Sequence, residues 1–306
     1  MSIQFIIHKE INKEKWDNCI RHAVNGLIYG NSFYLDAMAQ NWDALVLNDY
    51  EAVMPLTWKS KWGIRYLYQP AFIQQLGVFY TKELSEIRAR AFLEAAFERF
   101  KFAEITLNYS NKIDWAGDNV KASQRNNFIL DLNRPYEALY DNYDASFTKS
   151  LRRVRKFNLV YLESTNYERI IELYKELYGK KMSISNRSYV QLGNICKRLL
   201  KEKKLVVRLV RNSENRLLAA VVMFKYQDRL YNIISCISGE GKRREANYLL
   251  YDHIINEFAN TPLRLDFEGS DIEGIAAFYK KFNPGNEPYP FVKLNKLPWY
   301  VKVFKQ

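Results

Sequence analysis

Apolar residues follow two different spacings along this chain, and the two spacings predict both helices and strands. Residues 12–24 and 85–100 place apolar side chains three or four positions apart, which is typical of helices with one buried face. Residues 44–80 instead contain short apolar or alternating runs separated by turn residues, which predicts a meandering sheet. The order of these elements predicts one α/β domain over residues 1–135, with its boundary at Pro135.

The second part of the chain repeats this mixture and predicts a second domain over residues 136–306. Residues 217–224 and 229–235 are apolar runs, and Gln227-Asp228 between them suits a tight hairpin turn. The other predicted elements are helices at 136–158, 167–178, 188–203 and 272–282, a helix starting at Asn247, and strands at 159–163, 205–211, 264–269 and 289–294. The fold class is therefore α/β (α+β).

Composition supports two sizeable cores and excludes several classes of protein. The chain has 306 residues, of which 48% are hydrophobic. It has neither a secretory signal nor an apolar run of about 18 residues, so we expect a cytoplasmic protein without a transmembrane segment. Its three cysteines and three histidines are scattered, which predicts no disulfide and no metal site. Hydrolase, P-loop and dinucleotide signatures do not occur.

The net charge of +12 is distributed unevenly. Residues 1–135 contain 16 Lys and Arg against 15 Asp and Glu, whereas residues 136–306 contain 30 against 19. The second half therefore carries +11 of the excess, which predicts an anionic ligand there. A charge that serves only solubility is the alternative.

Two basic segments are the candidates for binding that ligand. Residues 239–246 predict a flexible basic loop that opens onto a helix, so Lys242, Arg243 and Arg244 would act together with the first amides of the helix. Residues 146–156 predict a helix with five cations within eight positions, on a face suited to phosphates, RNA or an anionic membrane surface. A solvated basic surface is the alternative for both.

Three pieces of the sequence resemble the Fem-type aminoacyltransferases and the BioF2-like acetyltransferases, which carry two GNAT acyltransferase domains in tandem. The pieces are residues 147–156 (FTKSLRRVRK), 266–270 (DFEGS), and 278–282 (FYKKF) followed by 295–298 (NKLP). The resemblance covers roughly the whole chain. It implies two GNAT-like domains, each with a mixed, largely antiparallel sheet flanked by helices; the first would shape the acceptor cleft and the second would bind the donor.

The resemblance also implies acyl transfer to an amine by direct attack, and it suggests roles for particular residues. Glu268 is the preferred general base and Asp266 the second choice, since burial at a strand end raises the pKa of a carboxyl group. Side-chain alternation would place both on one side of the strand. Tyr279 would be the general acid. Ion pairs with arginines are the alternative role for the two carboxylates, and a purely structural role is the alternative for Tyr279.

The same resemblance implies a set of binding residues. The donor would be held by Lys242, Arg243, Arg244, Ala246 and Asn247. The superfamily's pyrophosphate loop has a central glycine that this segment lacks, a departure shared with Fem-type enzymes, although Ala246 can substitute if the motif begins at Arg243. The substrate would contact four further cations: Arg152, Arg153, Lys156 and Lys280.

Two hypotheses from different classes follow. The first is an N-acyltransferase without a metal, with acyl-CoA (acetyl-CoA) or aminoacyl-tRNA as the donor and a small-molecule or cell-wall-precursor amine as the acceptor. No heptad-rich insertion of the kind that binds tRNA is evident, which favours acyl-CoA. The second is a non-catalytic protein that binds RNA or another anionic ligand through the basic helix.

Overall fold

The structure, a computed structural model, describes residues 2–82, 85–112, 119–269 and 271–298. They form two compact units, the described parts of Met1–Arg125 with Pro288–Gln306, and of Asn126–Glu287. Each unit is built on one mixed sheet flanked by helices, which confirms the predicted fold class.

The first unit contains an eight-stranded sheet in the order β1-β2-β3-β4-β6-β15-β7, with β5 paired to β3. Its neighbours are antiparallel except for the parallel pair β4 and β6. Numbered in chain order, its strands are β1 (Ile3–Ile6), β2 (Asn41–Leu47), β3 (Ala52–Lys61), β4 (Ile64–Tyr68), β5 (Phe79–Tyr80), β6 (Phe102–Thr106), β7 (Val120–Arg125) and β15 (Tyr289–Asn295).

Helices cover this sheet because their apolar stripes match its buried face. The helices are α1 (Lys13–His22), α2 (Ser32–Met38) and α3 (Glu86–Arg99). The side chain of Asn12 accepts a hydrogen bond from the Lys15 backbone N–H at 3.0 Å, so Asn12 is the N-cap of α1. Phe92, Leu93 and Ala96 of α3 are fully buried and pack on the sheet. Burial of such side chains is the main favourable term in folding.

The second unit contains a seven-stranded sheet in the order β14-β8-β13-β12-β11-β10-β9. Its pairs are antiparallel except for β12 and β13. Its strands are β8 (Phe128–Asp131), β9 (Val160–Glu163), β10 (Leu205–Arg211), β11 (Leu217–Tyr226), β12 (Arg229–Ile237), β13 (Arg264–Asp266) and β14 (Gly285–Asn286). The predicted hairpin is formed by β11 and β12.

Seven α-helices of this unit are described, and four of them contribute to the core that also holds the candidate site. The seven are α4 (Tyr136–Tyr140), α5 (Ala145–Val154), α6 (Tyr167–Met182), α7 (Asn186–Lys201), α8 (Gly239–Arg243), α9 (Ala246–Phe258) and α10 (Glu273–Tyr279). The four that contribute to this core are α4, α5, α9 and α10. Phe147 of α5 and Leu250 and Ile254 of α9 are completely buried in one cluster with Leu230 of β12. No described helix has the length and apolar character that crossing a membrane requires.

The division between the units differs from the predicted boundary at Pro135. β8 precedes Pro135 but pairs with β13 and β14 of the second sheet. β15 lies near the end of the chain but pairs with β6 and β7 of the first sheet. The physical reason is that sheet membership depends on long-range pairing, which the local apolar pattern does not encode.

Candidate active site

The candidate site lies where the only parallel pair of the described second sheet comes to its end. β12 and β13 are in register for three residue pairs, from Arg229 with Arg264 to Tyr231 with Asp266. β13 stops there, whereas β12 continues, and its register with β11 shifts by one residue next to Asn232. In open α/β sheets, the carboxyl ends of parallel strands are the usual place for ligands.

Asp266 lies in a buried ion pair. Its Oδ2 accepts a hydrogen bond from Arg229 Nη1 at 2.9 Å, and both side chains are almost completely buried. Arg229 also donates to Glu287 Oε1 at 2.5 Å, so this guanidinium bridges two carboxylates. Asp266 Oδ1 accepts the backbone N–H of Glu268 at 3.1 Å. Asp266 is therefore paired with an arginine, which is the alternative role given above for this carboxylate. Its second hydrogen bond shapes the turn that carries Glu268.

Glu268 lies just beyond the strand instead of within it. The predicted strand reached residue 269, but β13 ends at Asp266, and Glu268 has a φ of 52°. The expected alternation, with Asp266 and Glu268 on one side of a strand, is therefore wrong, because a left-handed residue redirects the chain. Burial raises the pKa of the Glu268 carboxyl to about 8. Ser270, the last residue of the DFEGS piece, lies outside the described residues.

Tyr279 belongs to a buried polar cluster that includes two residues missed by the sequence analysis. Asn232 Nδ2 donates to the hydroxyl oxygen of Tyr251 at 2.8 Å and to that of Tyr279 at 3.0 Å. The two hydroxyl oxygens are 3.2 Å apart. Burial raises the pKa of Tyr279 well above its ordinary value, with further contributions from Tyr251 and from the charge of Glu268. The Tyr279 ring stacks on that of Phe267, the residue before Glu268, with the ring centres 4.6 Å apart.

Asn232 has one further feature with chemical consequences. Its side chain is buried, and its Oδ1 has no hydrogen-bond partner among the described residues. A buried acceptor of this kind is normally paired with a donor, because its desolvation is otherwise costly. The signal that could have identified Asn232 was its position as the amide side chain within the apolar run 229–235.

The predicted basic loop is a short helix followed by a second one. α8 covers Gly239–Arg243, and the Ser238 side chain accepts the Gly241 N–H at 3.0 Å. A Cβ on Gly241 would lie 2.3 Å from the backbone oxygen of Leu218, so this glycine allows α8 to pack directly on β11. The prediction of a flexible loop is wrong, because a serine cap and close packing order the segment.

The predicted donor-binding residues lie at the junction of α8 and α9. Lys242 and Arg243 are exposed, and Arg244 is paired with Glu240 at 3.1 Å. Ala246 is buried and Asn247 half-buried in the first turn of α9, which has no side-chain cap. A helix start without a side-chain cap leaves backbone N–H groups that suit an anion.

Glu245, which the sequence analysis did not single out, connects this junction to the basic helix. It has a φ of 56°, and its Oε2 accepts a hydrogen bond from Arg153 Nε of α5 at 3.0 Å. The Arg153 guanidinium lowers the pKa of the Glu245 carboxyl. The two segments predicted to bind anions are therefore neighbours in the structure, and the charge of Arg153 is partly neutralised.

The other predicted binding residues are exposed cations. Arg152 lies on α5, and Lys156 lies in the 3-10 helix Arg155–Phe157 that follows it. Lys280 is also exposed, with its Nζ 5.7 Å from the centre of the Phe128 ring. The adjacent Lys281 donates to the Tyr248 hydroxyl at 3.0 Å.

An aromatic cluster joins the junction to the buried polar cluster. The ring centres of Tyr248 and Phe278 are 5.3 Å apart, and those of Phe278 and Tyr251 are 5.6 Å apart. The structure therefore brings the predicted basic, acidic and tyrosine residues onto one connected set of elements, α5, α8, α9, α10 and the end of β13. A shallow pocket of about 310 Å³ elsewhere on this unit is lined by none of the predicted site residues. Within the described ranges, no three His, Cys, Asp or Glu side chains are grouped so as to hold a metal ion.

Part of the chain is similar to a known protein family. Residues 145–281 match the family described as the Acetyltransferase (GNAT) domain. These residues include α5, the α8–α9 junction, Glu268 and Tyr279. A search of curated proteins found no match.

Solved structures show the same fold over almost the whole chain. FemX is similar with a TM-score of 0.63 and 12% identity, covering 99% of this chain and 100% of FemX. L-PGS from Bacillus licheniformis has a TM-score of 0.55 and 11% identity, covering 95% of this chain and 94% of its own. The C-terminal domain of a putative lysylphosphatidylglycerol synthetase from Agrobacterium fabrum has a TM-score of 0.54 and 10% identity, covering 95% and 93%.

These findings confirm the predicted resemblance to tandem GNAT proteins of the Fem type. At such low identities the structural likeness concerns the fold. Together with the GNAT family match, it supports acyl transfer in general.

Proposed function

We propose that this protein, with the fold of FemX and a GNAT match over residues 145–281, is an N-acyltransferase acting on an amine. The observation that carries the proposal is the buried Glu268 carboxyl, with a pKa of about 8, beside the hydroxyl cluster of Tyr279 and Tyr251. A base with a pKa near the working pH and a hydroxyl that can donate a proton are what amine acylation requires.

The proposed reaction is a direct attack. The amine nitrogen forms a bond to the carbonyl carbon of the donor, and Glu268 takes a proton from that nitrogen. The bond from the carbonyl carbon to the carrier breaks, and the Tyr279 hydroxyl gives a proton to the departing sulfur or oxygen. The open acceptor atom Asn232 Oδ1 suits an N–H of the bound substrates.

Donor binding is proposed for the α8–α9 junction. Lys242, Arg243 and Arg244 would attract phosphates, and the backbone N–H groups of Ala246 and Asn247 would contact them. Acyl-CoA and aminoacyl-tRNA both carry phosphates, so either fits this chemistry. Glu245 also brings a carboxylate to the start of α9, but this carboxylate is paired with Arg153, so the junction does not discriminate between the two donors.

The acceptor is proposed to be a small-molecule amine or the amine of a cell-wall precursor. The putative lysylphosphatidylglycerol synthetase domain is named for an aminoacylated lipid, and the similarity to it supports an acceptor that is not a protein. The predicted roles of Arg152, Arg153, Lys156 and Lys280 are in holding phosphates of the acceptor or of the donor carrier. Arg153 would do so only by exchanging its bond to Glu245 for one to the ligand.

Transfer assays with matched variants test the proposal. The purified protein would be incubated with labelled acetyl-CoA or with charged tRNA and a panel of amines. Glu268→Gln is expected to lower kcat at least about 100-fold, the usual contribution of a general base. Glu273→Gln, which changes an exposed carboxylate of α10, is the control and should leave kcat unchanged. Turnover that survives Glu268→Gln would contradict the assignment.

The two donors are separated by thermal melting with coenzyme A, acetyl-CoA and uncharged tRNA. A ligand that binds only the folded protein raises the melting temperature by mass action. A shift with coenzyme A that Arg243→Ala removes supports acyl-CoA, whereas a shift with tRNA alone supports the aminoacyl donor.

Exposed cations on and after α5 favour a second candidate function, binding of RNA without catalysis. Arg152 and Lys156 are exposed, and residues 149–156 contain five cations. The logarithm of the RNA-binding constant of such a face falls linearly with the logarithm of the salt concentration, because binding releases counterions from the phosphates. An RNA affinity that does not change between low and physiological salt would exclude it.

A further inference from the structure

The hairpin between β3 and β4 carries an exposed aromatic residue in an unusual backbone conformation. Trp62 is 68% exposed, and it is the one Trp or Phe classed as exposed among the described residues. It occupies the turn between Lys61 and Ile64, which face each other in the strand register. We call residues 59–65 the hairpin tip.

The turn presents this ring rigidly. Trp62 has a φ of 52° and Gly63 a φ of 75°, so both central residues of the two-residue turn are left-handed, as in the tightest hairpins. Asn, Asp or Gly normally occupies the first of these positions, because a bulky side chain is disfavoured there. The fold thus holds a tryptophan at a position where a small polar residue is the easier choice, and most of the ring faces solvent.

Cations flank this turn, and the neighbouring sequence contains no acidic residue. Residues 55–82 contain no Asp or Glu, whereas the hairpin tip contains Lys59, Lys61 and Arg65. Each cation lies against a ring: Lys59 Nζ is 4.2 Å from the centre of Tyr68, Arg65 Cζ is 4.6 Å from Trp58, and Lys61 Nζ is 4.6 Å from Trp62. Cation–π contacts hold the charges along the hairpin.

An exposed tryptophan flanked by cations matches the chemistry of a membrane–water interface. The indole ring is apolar with one polar N–H, and it partitions to the level of lipid headgroups. Lysine and arginine beside it are attracted by anionic headgroups. Single-stranded RNA is instead bound by several aromatic rings along a positive groove, on which successive bases stack. Of the three rings that these cations contact, only Trp62 is exposed, and one exposed ring at a turn favours the bilayer.

We propose that the hairpin tip binds the headgroup region of a bilayer that contains anionic phospholipids, with Trp62 inserted and Lys59, Lys61 and Arg65 on the headgroups. The tip belongs to the first unit, and none of its residues is assigned to acyl transfer, so the contact can hold or fail independently of the proposed function.

Vesicle co-sedimentation tests the contact. The protein would be mixed at physiological salt with vesicles of phosphatidylcholine alone or of phosphatidylcholine with the anionic lipid phosphatidylglycerol. We expect binding to the anionic vesicles only. Trp62→Ser should weaken the partition coefficient at least about tenfold, since it removes the inserted ring. Lys61→Ala should weaken it about fivefold, the loss for one cation at such a surface.

Two controls make the outcome decisive. Ile87→Ser changes another apolar residue of the same unit, 82% exposed on α3, and should leave the partition unchanged. Melting temperatures of all variants should match that of the parent, because Trp62 and Ile87 are exposed. Three outcomes would each overturn the proposal. The first is equal partition of the parent and Trp62→Ser, and the second is no binding of the parent to anionic vesicles. The third is Trp62-dependent binding of a single-stranded RNA of about 30 nucleotides, the length that two OB-fold sites cover, without vesicle binding.

Discussion

Glu268 keeps its proton to a higher pH in the folded chain than in the unfolded one, because burial raises its pKa to about 8. The unfolded glutamate has a pKa near about 4.3. Between these values the folded state binds one proton more, so rising pH lowers the stability of the folded state, and the loss is complete above about pH 8. The direction is opposite to that of a carboxylate in an ion pair.

We therefore predict that Glu268→Gln gains stability relative to the parent as pH rises from about 5 to about 8. The gain has an upper limit of about 1.4 kcal/mol per pH unit, the free energy of one pKa unit. Urea unfolding at several pH values measures it, with Glu273→Gln as the exposed control. Parallel pH dependence of Glu268→Gln and the parent would mean that the carboxyl is not held protonated by the fold.

Other residues of the candidate site show what sequence can and cannot reveal. Short motifs indicate Glu268 and Tyr279, and in the structure the Tyr279 ring stacks on Phe267, the residue before Glu268. Asn232, Tyr251 and Arg229 escaped notice, because their importance arises from contacts with residues 19 to 47 positions away. The prediction that Glu268 lies on the same side of a strand as Asp266 is wrong, because Glu268 has a left-handed backbone conformation beyond the end of the strand. No local sequence pattern indicates this conformation.

The elements themselves were largely predictable, and α8 is the instructive exception. Four cations or glycines in the segment 239–243 indicated a loop. The helix forms because Ser238 caps it and because Gly241 lets it approach β11. A serine before the segment is a recognisable N-cap in the sequence. The close approach of β11 cannot be predicted from the sequence, because it depends on the tertiary fold.

Gly241→Ala should therefore destabilise this unit. Its new Cβ would meet the Leu218 backbone oxygen at 2.3 Å, and neither the helix nor the strand can move away without losing packing. We expect the free energy of unfolding to fall by about 1–3 kcal/mol, the usual cost of overpacking. Gly239→Ala lies in the same helix with its nearest neighbour atom at 3.8 Å, so it is the matched control and should have little effect. Equal melting curves for the two variants would contradict this account of α8.

For the whole molecule, β15 is the feature that local patterns could not place. Its apolar run predicted a strand correctly, but its position near the end of the chain suggested the second domain. Instead it lies between β6 and β7, and β7 pairs with no other strand among the described residues. The strands with which β15 pairs are far away in the sequence, so the pairing depends on which sheet has a free edge and a matching face.

Removal of residues 288–306 should accordingly weaken the first unit and spare the second. We expect amides of β6 and β7 to exchange with solvent much faster, whereas those of β11 keep their protection, because β11 retains both neighbours. Hydrogen exchange followed by mass spectrometry measures both. Lys293→Ala, which removes the exposed pairing with Glu104 and the contact with the Phe102 ring but keeps the strand, is the control. Unchanged protection of β7 in the truncated chain would contradict this role of β15.

The position of β15 also sets the order in which the protein is completed on the ribosome. Residues 126–287 leave the ribosome before residues 289–295, so the sheet of the second unit has all its described strands while the first sheet still lacks one from its interior. The unit that is synthesised first is thus finished last. Until β15 arrives, β6 presents an open edge to chaperones or to other nascent chains, and open edges favour association.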